Sequence, residues 1–458
     1  MAAELMWQGK SLYKDIWEIN TPLIFYISMI PVSIHHLTNI PVIPLFFLLI
    51  CAMGYASIWF SWSVLKKLPI YDTQIQANTM LMVLYCIGFI VPAITSNFGQ
   101  REHIFVLGIL PYISLLIAYS YQRTLPVGFR VMVGVVAAIA FSIKPYFIIV
   151  FAAAELAMLH IMRGFKSIMR IEPWIIGLGF VIYHVVIAAI FSEYLQEAGI
   201  AFVKNYSGYK SSLELMIAGS ILFIAPTIFM VGIITKTPSY NTNVAVLLVT
   251  LIFSSLLLYL IPLTDYYYHL LPMISLQIFL WTVLLLKKAR YVWVFLLLSM
   301  LYYKAPVNLE RERTIKALSE SIQTYISAGD PIAFLDSLTA PSFPVTNYSG
   351  GVWALSLPYM AQIPSAYMDF RGTNKEPIYH TIEEMTDEER LFTERTIQDL
   401  EELPVLIIIN YNEKKSGLPQ MKFDILKYLM GYERFRELWK NYRHVEDVEG
   451  FSIYKKIS

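Results

Sequence analysis

Apolar runs of about 17–25 residues, the length that crosses a hydrocarbon core as a helix, recur along the first two thirds of this chain with only short connectors between them. They occupy residues 41–65, 79–95, 104–121, 131–143, 146–162, 174–191, 215–235, 244–262, 270–286 and 292–303, the fourth and last being short. That pattern leaves a polytopic α-helical membrane protein of about 10–11 transmembrane helices as the expected fold. Composition agrees: 57% of residues are hydrophobic and 15% charged, with a mean hydropathy of +0.54. A soluble domain carries about a quarter charged residues, and nucleic-acid binders and collagen-like chains are excluded.

The formal charge of +1 hides a division. Residues 1–304 hold 18 basic and 11 acidic side chains, whereas residues 305–458 hold 17 and 23. The chain therefore divides into a transmembrane domain, 1–304, and a charge-dense soluble domain, 305–458. In the latter, residues 331–335 and 404–409 are short β-branched runs bounded by turn residues, as buried parallel strands are. Amphipathic helices are expected over 309–327, 387–402 and 423–430, giving a small α/β sheet with helices on its faces. Cys51 and Cys86 both lie inside apolar blocks and build no disulfide framework.

Lys and Arg near helix ends stay on the cytoplasmic side. One set of connectors carries Lys66, Lys67, Arg123, Arg130, Arg163, Lys166, Arg170, Lys236, Lys287, Lys288 and Arg290; the alternate set carries only Arg101, Lys144, Lys204 and Lys210. The second set and the C-terminal domain are thus expected outside the cytoplasm. This places the stretch before Pro41 outside as well, although residues 1–21 contain no apolar block. Either residues 22–37 form an eleventh, short helix with a cytoplasmic start, or a first helix precedes Met1. Pro31 and the His35-His36 end suit an interfacial segment and favour the second reading.

Charged groups at the mouths of membrane helices are costly to place and are functional candidates by default. The outer loops supply Asp15 and Glu18, then Arg101, Glu102 and His103, then Lys144 before Pro145, then Asp265, Tyr266 to Tyr268 and His269. Each has an ordinary reading: solvated loop pairs for Arg101 and Glu102, interfacial charges for Asp15 and Glu18, a snorkelling lysine, an aromatic belt. All four loops fall on one side, where a single polar cavity would collect them.

The segment Tyr13 to Leu23, YKDIWEINTPL, resembles the LYxDxxExxPPL loop of the membrane-embedded C-type glycosyltransferases, the group that contains protein O-mannosyltransferases and lipid A aminoarabinose transferases. Phe98 to His103, Lys144-Pro145, Tyr268-His269 and the α/β tail resemble a bacterial subgroup without one defined acceptor. The resemblance implies transfer of a sugar, usually with inversion, from a polyprenyl-phosphate donor to a glycan, lipid or protein acceptor at the outer face of the cytoplasmic membrane. It implies two acidic sites. Glu102 matches the one in the second external loop; Asp15 is an acidic residue of the first, where Thr21-Pro22 replaces the usual Pro-Pro.

Chemistry agrees with that assignment. A sugar hydroxyl needs a carboxylate to take its proton, the part of Glu102 or Asp15. The phosphate leaving group needs a cation, the part of Lys144 or Arg101, with Glu18, Tyr268 and His269 completing the substrate contacts. A transporter or flippase would also place such residues in a membrane cavity, but no internal repeat is visible. A lipid-linked polysaccharide polymerase or ligase shares the substrate and stays open. The eight His show no zinc spacing and no phosphate-cradling glycine loop is present, so no metal ligand is assigned and no divalent-metal requirement is legible.

Overall fold

The computed structural model describes residues 1–198, 211–236, 241–264, 266–286, 292–294, 296–297, 309–370, 373, 375–411 and 422–457. The chain forms two compact units, one of Met1–Asn20, Phe191–Tyr209 and Val307–Ser458, the other of Thr21–Ile190 and Lys210–Pro306. The first 20 residues thus join the unit that carries the C-terminal domain.

In the second unit, six helices are long and apolar enough to cross a membrane: Val42–Leu65, Gln74–Ile94, Arg101–Ser120, Ile171–Ile190, Thr242–Leu260 and Tyr267–Leu285. Leu23–Thr38, Val127–Ser142 and Pro145–Ile161 are shorter apolar helices, and Leu213–Lys236 is a further helix. This is a polytopic membrane protein. Most of block 292–303 lies outside the described residues, as do Asp265, Lys204, Lys210, Lys287, Lys288 and Arg290.

The helix Arg101–Ser120 is the axis of this unit, since every residue from Glu102 onward is buried. It packs against Val42–Leu65, Val127–Ser142 and Tyr267–Leu285. Gly108 permits the approach: a Cβ there would lie 2.4 Å from the Cβ of Ala140. Pro111 sits inside the same helix and has no N–H for the carbonyl of Leu107. In an apolar surround that oxygen needs another donor. Ser57 of the neighbouring helix supplies it, its hydroxyl donating to Leu107 O at 2.6 Å. Ser57→Ala is therefore expected to cost about 1–3 kcal/mol by orphaning a buried carbonyl, measured as equilibrium unfolding in mixed detergent.

The preceding span repeats the device. It widens into a π-turn at Cys86–Ile90, and Pro92 cannot donate to Gly88. His103 does so instead, with Nε2 2.9 Å from Gly88 O. Its Nδ1 accepts from the Gly99 N–H at 3.0 Å, which fixes the proton on Nε2.

Toward the other end of the axial helix, two carboxylates are neutralised, Glu172 fully buried and Glu155 partly buried. Tyr119 donates to Glu172 at 2.7 Å, alongside Arg130, whose Nη2 lies 3.3 Å from Oε2. Arg170 and Tyr112 both bond Glu155. Arg130 and Arg170 are thus committed to ion pairs that tie three helices together, and Tyr112 and Tyr119 attach the axial helix to them.

The first unit holds a five-stranded sheet of order β2-β1-β3-β5-β4, with β1 Pro331–Leu335, β2 Val352–Trp353, β3 Leu406–Asn410, β4 Tyr442–Val448 and β5 Phe451–Lys456. β1 runs parallel to β2 and β3, as the two apolar runs anticipate; β5 is antiparallel to β3 and to β4. Glu449 and Gly450, both at positive φ, turn the β4–β5 hairpin. The helices expected in this region form at Leu309–Gln323, Asp387–Leu400 and Ile425–Leu429. The N-terminal segment docks here: Trp17 N–H donates to Ser356 O at 2.9 Å and its ring packs edge-on to Phe392.

Asp336 ends β1, accepting from Asn410 Nδ2, Ser342 Oγ and the Leu338 N–H. Burial pushes its carboxyl up to about 6, against those hydrogen bonds, from an ordinary 3.8. A carboxyl raised in the folded state favours folding below its unfolded value and loses that contribution as pH rises through 6. Lowering pH from 7 to 4 should thus stabilise this unit by about 2 kcal/mol. Hydrogen exchange of β1 and β3 amides reports it; Asp336→Asn should flatten the pH dependence.

Candidate functional site

The second unit gathers residues of three of the four loops expected on one side into a single buried ionic site. Glu102 is completely buried in the first turn of its helix. His103, one residue on, is pinned to Gly88 and Gly99, so it fixes where this helix begins and where Glu102 projects. Lys144 stands between two helices because Pro145 follows it: a residue before proline is held extended, and Lys144 has φ −137° and ψ 135°. Its Nζ donates to Glu102 Oε1. His269 lies in the short 3-10 turn Tyr267–Leu270, and its Nδ1 is 2.9 Å from the same Oε1, outside hydrogen-bond geometry.

Aromatic rings wall the ammonium. Lys144 Nζ is 5.3 Å from the ring centre of Tyr268, 5.5 Å from Tyr146 and 5.7 Å from Phe147, all within cation–π reach. Tyr268 in turn packs on His269, with centroids 4.3 Å apart. Arg101 acts electrostatically on Lys144 from the adjoining position. Glu102 thus has one oxygen engaged, while Oε2 makes no hydrogen bond among the described residues. An ionised carboxylate with an unused acceptor oxygen, one fixed cation and a second cation nearby can take a proton and hold an anion.

An apolar groove of about 260 Å³ runs along the same helix, lined by Ile27, residues of Val42–Leu65, Ile104, Leu107, Gly108 and Pro111, and residues of Val127–Ser142 with Ile143. Ile104 and Ile143 are near chain neighbours of Glu102 and Lys144.

Asp15 and Glu18 belong to the first unit. Glu18 is a buried turn-former, its Oε1 accepting from the Ile19 and Asn20 N–H groups and from Asn20 Nδ2. Asp15 caps its own turn by accepting from Ser11 N–H at 2.7 Å, and lines a polar pocket of that unit. Trp353, on β2, is stacked on Phe334 with its indole N–H donating to Leu357 O. Tyr146 and Phe147 were not singled out by the sequence as partners of Lys144; the signal was Lys144-Pro145, which makes the next two rings curl back over the ammonium. Among the described residues no three His, Cys, Asp or Glu side chains are grouped to hold a metal.

Compared with known proteins, the sequence matches no family model and no curated relative.

Proposed function

We propose that the protein transfers a sugar from a polyprenyl-phosphate donor to an acceptor hydroxyl at the outer face of the cytoplasmic membrane, as a C-type glycosyltransferase of about 10–11 spans with its α/β domain outside. The observation that carries the reading is the buried Glu102–Lys144–His269 site with the open Oε2 of Glu102. The apolar groove along the helix that carries Glu102 suits an isoprenoid tail.

In this reading Glu102 Oε2 accepts the proton of the attacking hydroxyl, whose oxygen bonds to the anomeric carbon as the bond from that carbon to the phosphate oxygen breaks. Polyprenyl phosphate leaves with the electron pair, and Lys144 and Arg101 neutralise it in a water-poor site. Attack opposite the leaving group inverts the anomeric centre. Oε2 is out of contact with solvent, so a side chain at the mouth shifts when the acceptor enters.

Proteoliposomes holding the protein, supplied with polyprenyl-phosphate mannose and an extract of envelope glycans, test the class. Transfer frees polyprenyl phosphate and moves label to a water-soluble or protein fraction. A flippase would move the donor across the bilayer intact, and that result would replace this reading.

A further inference from the structure

The first unit contains a pocket of about 340 Å³ whose lining includes none of the residues that carry the transfer step above. Its lining comes from both ends of the chain. Gln8, Lys10 and Asp15 descend from the N-terminal segment; Arg395, Gln398, Asp399 and Glu402 come from the helix Asp387–Leu400 and the turn after it. The floor is Leu355, Ser356 and an edge of Trp353, beside the starts of β1 and β2.

The floor is rigidly built. Asp399 Oδ2 accepts from both the N–H and the hydroxyl of Ser356, each at 2.6 Å. Arg395 Nε donates to the same Ser356 hydroxyl at 2.9 Å and its Nη2 to Lys14 O at 3.1 Å. This network holds Arg395 beside Trp17, 5.8 Å from the ring centre. Asp399 Oδ1 is left with Arg395 Nε at 3.8 Å, too long for a hydrogen bond. The side-chain amides of Gln8 and Gln398 make no hydrogen bond among the described residues. Burial raises the Asp399 carboxyl, against the Ser356 hydrogen bonds, so a further donor at Oδ1 would relieve it.

We infer that this pocket binds a neutral saccharide, and that it is where the acceptor glycan is held. The lining carries two cations and three carboxylates, so it offers no net attraction for a phosphate or a uronic acid. It mixes amides and carboxylates over an apolar floor. A sugar hydroxyl is donor and acceptor at once, and such mixed planar groups pair with it where a purely basic or purely apolar pocket does not. The volume lies at the low end of small-molecule pockets, room for roughly one or two sugar rings. Asp15 acquires a role here as a pocket wall. The acceptor assignment rests on the transfer reading; the saccharide site itself stands on the pocket alone.

The full chain in lipid nanodiscs, prepared without glycoside detergents, is titrated with α-mannobiose, cellobiose and N,N′-diacetylchitobiose, with inorganic phosphate and glucuronate as anionic comparators. Saturable binding of at least one neutral disaccharide is expected, weakened 10-fold or more in Gln398→Ala and in Glu402→Gln, with unfolding temperatures unchanged. Glu102→Gln should bind as tightly as the unaltered protein, so loss of transfer there leaves this inference intact. The inference is overturned if none of the three binds, if phosphate or glucuronate binds more tightly than all of them, or if neither pocket variant weakens binding.

Discussion

Glu102→Gln should slow sugar transfer by about 100-fold or more, the usual worth of a positioned general base, while donor binding changes little. Glutamine keeps the size of the side chain and an acceptor oxygen for Lys144, so the site retains its shape. It loses the basicity of the open oxygen. Because Glu102 is wholly buried, removing its charge also leaves the Lys144 ammonium without its carboxylate partner, and the unfolding temperature reports that separately from the rate. A fall in kcat with KM for the donor held constant is the expected signature of an interaction made in the transition state.

Lys144→Met is expected to do damage of two kinds. The carboxylate of Glu102 stays buried with its lysine gone, and breaking a buried pair by removing one partner costs about 3–5 kcal/mol. The phosphate leaving group loses its cation, so transfer should also fall by at least the about 100-fold expected for Glu102→Gln. The double variant Glu102→Gln with Lys144→Met separates the two. It buries no net charge, so stability should return toward that of the unaltered protein, whereas transfer should stay lost. A double variant as unstable as Lys144→Met alone would show that Lys144 stabilises through its aromatic cage and not through Glu102.

The membrane helices were readable from the sequence because apolar block length maps directly onto helix length in a bilayer. Blocks 41–65, 104–121 and 174–191 became Val42–Leu65, Arg101–Ser120 and Ile171–Ile190. What holds those helices together was not readable. Ser57 capping the carbonyl freed by Pro111, and His103 capping the one freed by Pro92, depend on which helix lies beside which, and no local pattern encodes that. The same limit applies to the site. Glu102, Lys144 and His269 are far apart in sequence, and only the alternation of basic connectors hinted at a common location. Arg130 and Arg170, counted as ordinary connector charges, turn out to neutralise Glu172 and Glu155.

In the first unit, β1 and β3 stood out as continuous apolar runs because they are buried on both faces. β4 did not: it is an edge strand carrying Arg443, His444, Glu446 and Asp447, whose charges conceal the alternation while protecting the edge. The docking of the first 20 residues onto this unit was also hidden, since Leu5, Leu12, Ile16 and Trp17 are too few and too spaced to read as an element, yet all are buried.

The claim that Glu102 is the base of a lipid-linked sugar transferase is tested most directly by the rate of polyprenyl phosphate release from polyprenyl-phosphate mannose in proteoliposomes. Glu102→Gln, Lys144→Met and Asp15→Asn are compared in parallel with the unaltered protein. The account predicts turnover by the unaltered protein, a loss of about 100-fold or more in the first two variants, and near-normal phosphate release in Asp15→Asn when acceptor is saturating. Full activity of Glu102→Gln would contradict it, and loss confined to Asp15→Asn would move the base to the first loop.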